Sequence, residues 1–122
     1  MIQKALKEAE NSKFDRARIG AVIISGGRVL AKGTNKIRKH SFKSGHWNTS
    51  LHAECAAILD VFKNNSYKDL KNATMYVARI KKDGSQGMAC PCKDCMQVIK
   101  NVGFIKRIRF TCGNGEIGEI RV

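Results

Sequence analysis

The sequence predicts an α/β fold, a mixed sheet of five short strands covered by helices, and three observations carry that reading. Apolar residues recur at helical spacing in three stretches. Five short β-prone runs lie between and after them. The resulting order, α-β-β-α-β-α-β-β, interleaves strands with helices and does not segregate them. A chain of 122 residues has the length of one ordinary domain. No repeat, low-complexity tract or composition break divides it, so residues 1–122 are expected to form a single domain. Apolar residues make up 43% of the chain and aromatics only 7%. A core of Ile, Val, Leu and Ala can therefore form without disulfides.

Ile2, Ala5, Leu6 and Ala9 fall at i, i+3, i+4 and i+7, one face of a first helix. Gly20 to Ile24 and Val29 to Lys32 are β-prone runs separated by Ser25-Gly26-Gly27, a hairpin signal. Gly33 to Ser50 is polar, basic and without period, which reads as a long functional loop. Leu51, Cys55, Ile58, Leu59 and Phe62 mark a second helix, with Asn48, Thr49 or Ser50 available as its cap. Ala73 to Ile80 reads as a buried strand, and Lys81 to Ala89, with Asp83-Gly84, as a turn-rich loop. Cys92, Cys95, Met96, Ile99 and Val102 share a face of a third helix, opened by Pro91 and closed by Gly103. Ile105 to Phe110 is a further strand. The turn Gly113-Asn114-Gly115 then sends a last strand, Glu116 to Val122, back antiparallel.

The formal charge is +13, which favours phosphate-bearing partners but says nothing about the fold. The charge is also segregated. Arg16, Arg18, Arg28, Lys32, Lys36, Arg38, Lys39 and Lys43 precede Ala53 with no acid among them. No run of about 18 apolar residues exists, so no membrane span is expected. No stretch resembles a secretory signal, which points to the cytoplasm. The five cysteines therefore read as metal or catalytic groups before disulfides.

Pro91-Cys92-Lys93-Asp94-Cys95 places two thiols one helical turn apart at a helix start, where both sulfurs reach one ion. The helix N-terminus favours the thiolates that zinc requires. Alone, this motif admits a redox pair, half of a structural zinc site or a catalytic zinc site. His52-Ala53-Glu54 breaks the tie. His52 supplies a third, nitrogen ligand, and Glu54 can sit beside the metal without binding it. Three protein ligands leave zinc's fourth position to water, the condition for catalysis.

His52-x-Glu54 followed by Pro91-Cys92-x-x-Cys95 resembles the signature of the cytidine deaminase-like superfamily. The resemblance extends to element order over nearly the whole chain. It implies an α/β/α sandwich with helices on both faces, one catalytic Zn²⁺ on His52, Cys92 and Cys95, and Glu54 as proton shuttle. It also implies that the backbone amide of Ala53 helps hold the base and that Asn35 contacts the sugar. As a plain turn former after a strand, Asn35 has a bland alternative. Trp47 is either a stacking platform for a neighbouring base or a packing residue. His40 and His46 read as solvated loop histidines. Cys90 reads as a spectator thiol, Cys55 as core and Cys112 as lying near the last turn.

The His at the first ligand position sets the chain apart from many free-nucleoside deaminases, which carry Cys there. The basic stretch favours cytosine-to-uracil deamination in single-stranded DNA, with Lys36, Arg38, Lys39 and Lys43 following the phosphates. The close rival is a free cytosine nucleotide, deoxycytidylate in particular. Adenine or guanine deamination ranks lower, because the chain ends in a hairpin and not in further helix. A catalytically silent zinc-containing nucleic-acid-binding module is the remaining class, against which the presence of Glu54 argues. No membrane partner is expected.

Overall fold

The computed structural model describes residues 1–14, 17–42, 45–64, 70 and 72–122, and of 37–50 the backbone alone. In chain order the elements are α1 (Ile2–Ala9), β1 (Ala17–Ser25), β2 (Arg28–Thr34), β3 (Lys36–Phe42), β4 (Gly45–Leu51) and α2 (Ala53–Lys63). They continue with β5 (Ala73–Lys81), β6 (Gln86–Gly87), α3 (Lys93–Val102), β7 (Ile105–Thr111) and β8 (Ile117–Arg121). The main sheet runs β2-β1-β5-β7-β8, with β6 added beside β5. β1 is antiparallel to β2 and β5, β5 is parallel to β7, and β8 returns antiparallel to β7. The parallel pair requires a crossover, which α3 provides.

The centre of the sheet is buried on both faces. Along β1, Val22 and Ile24 pack with Ala78 against Ala5 and Leu6 of α1. The alternate residues Ala21 and Ile23 join Met75 and Val77 in the larger core with Ala57, Val61 and Ile99 of α2 and α3. This is the α/β/α sandwich expected. Ser25 pairs with Arg28 across a two-residue turn in which Gly26 (φ 59°) and Gly27 (φ 78°) are both left-handed, the geometry that matches strand twist.

Two expectations are corrected. The main sheet has six strands, the sixth being the two-residue β6, which pairs with Arg79 and Ile80 of β5 beyond the stretch covered by β7. A strand so short leaves no alternation in the sequence. Its register comes from the turn before it, where Asp83 Oδ1 accepts from the Ser85 amide (2.9 Å) and hydroxyl (2.6 Å), and Gly84 is left-handed. The segment expected as one long loop folds mostly as the antiparallel ribbon β3–β4, from Lys36 opposite Leu51 to Phe42 opposite Gly45. A ribbon paired only with itself has no sheet neighbour to impose a period on its sequence.

The helix caps also differ from expectation. Asn48, Thr49 and Ser50 belong to β4, and His52 (φ −71°, ψ 151°) is the N-cap of α2, making no side-chain capping bond. Cys92 occupies the same position on α3, while Gly103 closes that helix at φ 78° as expected.

Gly33 fixes α2 on the sheet. A Cβ there would lie inside the van der Waals radii of the Ala57 nitrogen and the Ala53 carbonyl oxygen, so helix and strand touch backbone to backbone. Gly33→Ala is expected to lose about 1–3 kcal/mol of stability through overpacking, read from a shift in the urea midpoint at unchanged slope.

Candidate active site

The N-terminal ends of α2 and α3 lie side by side, and each helix has a ligand-type residue as its N-cap. His52 Nδ1 lies 3.1 Å from Cys95 Sγ and 3.6 Å from Cys92 Sγ, and all three donor atoms fall within 4.8 Å of one another. Tetrahedral bonds of about 2.0–2.3 Å place donors roughly 3.3–3.8 Å apart, so the set fits one zinc ion. His52 and Cys92 are exposed and Cys95 is buried. The cluster therefore has an open side, unlike a closed four-ligand structural site. Burial drives the Cys95 thiol well above its usual range, and the Glu54 charge adds to this. A metal reverses that preference by binding the thiolate.

Glu54, in the first turn of α2, is only 5% exposed. Burial raises its pKa above the ordinary carboxylate value, and hydrogen bonding to Cys95 and the charge of His52 pull partly against this. His52, Glu54 and Cys92 line one cavity of about 340 Å³ together with Asn35, Phe14 and Arg79, a volume suited to a small molecule. A buried carboxylate, a three-donor cluster and a cavity thus meet at one place.

The description "Cytidine and deoxycytidylate deaminase zinc-binding region" matches residues 1–112. The chain belongs to that family. Among solved structures, the chain is similar to the dCMP deaminase of cyanophage S-TIM5 in complex with dCMP and dUMP, at 21% identity and TM-score 0.66. That match covers 89% of this chain and 76% of the phage protein. The apo form of the same phage enzyme aligns at 20% identity and TM-score 0.64, covering 93% and 81%. RibD of Acinetobacter baumannii, form 2, aligns at 17% identity and TM-score 0.54, covering 91% of this chain and 27% of that one. These likenesses establish the fold. No protein with a curated description matches.

Asn35 lines the cavity, but its amide is largely engaged within the protein. Oδ1 accepts from Ser12 Oγ (2.5 Å) and the Ile19 amide (3.0 Å), and Nδ2 donates to the Ala17 carbonyl (2.8 Å). One Nδ2 hydrogen remains for a ligand. Ala53 is fully buried beneath Gly33, and as the first residue of α2 its N–H has no intrahelical acceptor. Lys36 is exposed and lines a neighbouring cavity of about 560 Å³ with Lys13. The two cavities share Phe14 and Asn35, and only the smaller one reaches the metal ligands.

Arg16 and Lys43 lie outside the described residues, as do the side chains of Arg38, Lys39, His40, His46 and Trp47. Cys90 is exposed and lines the cavity, outside the three-donor cluster. Cys55 is half-buried, its Sγ 4.0 Å from that of Cys95, so it borders the metal site more closely than a core residue does. Cys112 follows β7 at the last turn, as expected. The sequence reading passed over Arg79. Its signal is a cation followed by the buried Ile80 near the end of a mostly apolar strand.

Proposed function

We propose that residues 1–122 form one zinc-dependent domain that hydrolyses the cytosine of a free nucleotide, deoxycytidylate foremost, to uracil and ammonia. The observation that carries the reading is the buried Glu54 carboxylate in the same cavity as His52 and Cys92, which with the buried Cys95 form the donor cluster. Family membership makes the site a zinc-binding one. His52, Cys92 and Cys95 would hold the zinc, which would supply the Lewis acidity that activates water near neutral pH.

Glu54 takes the proton released by the attacking water and delivers it to the ring nitrogen next to the amine-bearing carbon. That carbon becomes electrophilic, and the water deprotonated by Glu54 adds to it to give a tetrahedral carbon. Glu54 then takes the proton of the newly added hydroxyl and passes it to the amine, so that the C=O bond forms, the C–N bond breaks and ammonia leaves. Burial suits one carboxylate to both steps, because a raised pKa lets it hold as well as accept a proton. Asn35 would use its remaining Nδ2 hydrogen on the sugar, and the Ala53 amide would hold the base.

The sequence alone favours single-stranded DNA as the carrier of the base. The fold neighbours crystallised as dCMP deaminases support the free nucleotide instead. One feature still favours a polynucleotide: the basic ribbon β3–β4 joins the strand end bearing Asn35 to His52, and Lys36 at its base is exposed. Thiolate ligands need a reducing compartment, which supports a cytoplasmic setting. No helix of the structure is long and apolar enough to cross a membrane.

The deciding assay measures ammonia release from dCMP, deoxycytidine, a cytosine-bearing single strand and the corresponding duplex, side by side. Turnover of dCMP is expected to exceed that of the single strand at equal cytosine concentration. The opposite order sinks the free-nucleotide reading.

A further inference from the structure

We propose that Arg79 is the residue that selects nucleotides over nucleosides, its guanidinium binding the substrate's phosphate from the wall of the catalytic cavity. The proposal rests on the nucleotide reading above. Among the described residues lining this cavity, Glu54 is the sole carboxylate and Arg79 the sole permanent cation. Deamination needs the carboxylate and the metal ligands but no guanidinium. Arg79 Nε is buried and has no hydrogen-bond partner among the described residues. The described ion pairs join Arg107 and Arg109 to Glu119, on β7 and β8.

The arginine is also mounted. A Cβ on Gly87 would stand 3.0 Å from Arg79 Cδ and 3.2 Å from Cγ. Glycine on β6 therefore gives the arginine stem its bed. Thr111, fully buried at the end of β7, fastens both strands. Its Oγ1 accepts the Arg79 amide at 3.2 Å and donates to the Gly87 carbonyl at 2.6 Å. β6 thus has a purpose beyond closing a turn, since it holds the Arg79 side chain along the cavity wall. A planar guanidinium fixed in this way suits a phosphate, whose oxygens accept its N–H groups in pairs.

The test compares zinc-loaded wild type, Arg79→Gln and Arg79→Lys on dCMP, deoxycytidine and a single-stranded oligonucleotide with one cytosine, zinc content being measured in each. Arg79→Gln is expected to lower kcat/KM for dCMP about thirtyfold, mainly through KM, and to lower the preference for dCMP over deoxycytidine by a similar factor. Arg79→Lys should recover part of that preference, and Gly87→Ala should show a weaker form of the loss by displacing the stem. Equal losses on dCMP and deoxycytidine, or none on either, overturn the assignment. A loss confined to the oligonucleotide overturns Arg79 as the nucleotide selector and points instead to a polynucleotide backbone. If wild type deaminates none of the three, the deaminase reading fails by itself. Calorimetric binding of dUMP against deoxyuridine then decides: a preference for dUMP that depends on Arg79 supports the contact, and an equal preference in Arg79→Gln removes it.

Discussion

Glu54→Gln is expected to reduce turnover by roughly 10⁴-fold, the upper end of what a positioned acid–base group contributes, while zinc content stays at one per chain. The loss should be that large because one carboxylate serves both proton transfers, and the amide accepts no proton at either. Steady-state ammonia release with parallel metal analysis reads both quantities. Turnover within tenfold of wild type would remove Glu54 from the chemistry and with it the proposed reaction. The same variant has a stability signature in the metal-free protein. Because burial raises the Glu54 pKa, the ionised carboxylate opposes folding once the pH exceeds its unfolded value, about 4.3. At pH 7 the Gln variant should therefore unfold at higher urea than wild type. The gap should close as the pH falls to about 4, where both side chains are neutral.

Cys95→Ala is expected to carry the second large effect. Cys95 is the buried member of the donor set, 3% exposed and 3.1 Å from His52 Nδ1. A share of the roughly 10–16 kcal/mol that four ligands supply in structural zinc sites corresponds to zinc affinity about 10²–10³-fold weaker, with deamination lost below micromolar zinc. Cys90→Ala and Cys55→Ala are the matched controls and should retain the metal. Cys90 lines the cavity outside the donor cluster, and Cys55 approaches Cys95 only to 4.0 Å between sulfurs. Zinc loss from Cys90→Ala, with Cys95→Ala still loaded, would exchange their roles.

The site was legible in the sequence because its residues are tied to local structure. A ligand at a helix start and two thiols one turn apart hold their geometry wherever the helices form. The sheet was legible at β1 and β5, where burial writes largely apolar runs, and at β7, where apolar residues recur among basic ones. What escaped was structure whose cause lies elsewhere in the chain. β6 exists because β5 outruns β7 and leaves Arg79 and Ile80 an open edge. The ribbon β3–β4 has no core-facing period to display. His52 caps α2 because β4 ends one residue earlier, a boundary that no side chain announces. Arg79 could be noticed in the strand, but its bed on Gly87 is a contact between strands and is invisible in one dimension.

The placement of the ribbon bears on how such a protein can be remodelled. β3–β4 pairs with itself and stands outside the main sheet, entering directly after Asn35 and leaving directly before His52. Its first pair, Lys36 with Leu51, fixes those two neighbours side by side whatever lies beyond. Lengthening, trimming or exchanging the tip between Phe42 and Gly45 therefore costs the core almost nothing. A library confined to this cassette should yield folded, zinc-loaded proteins at high frequency, with their differences concentrated in what reaches the metal.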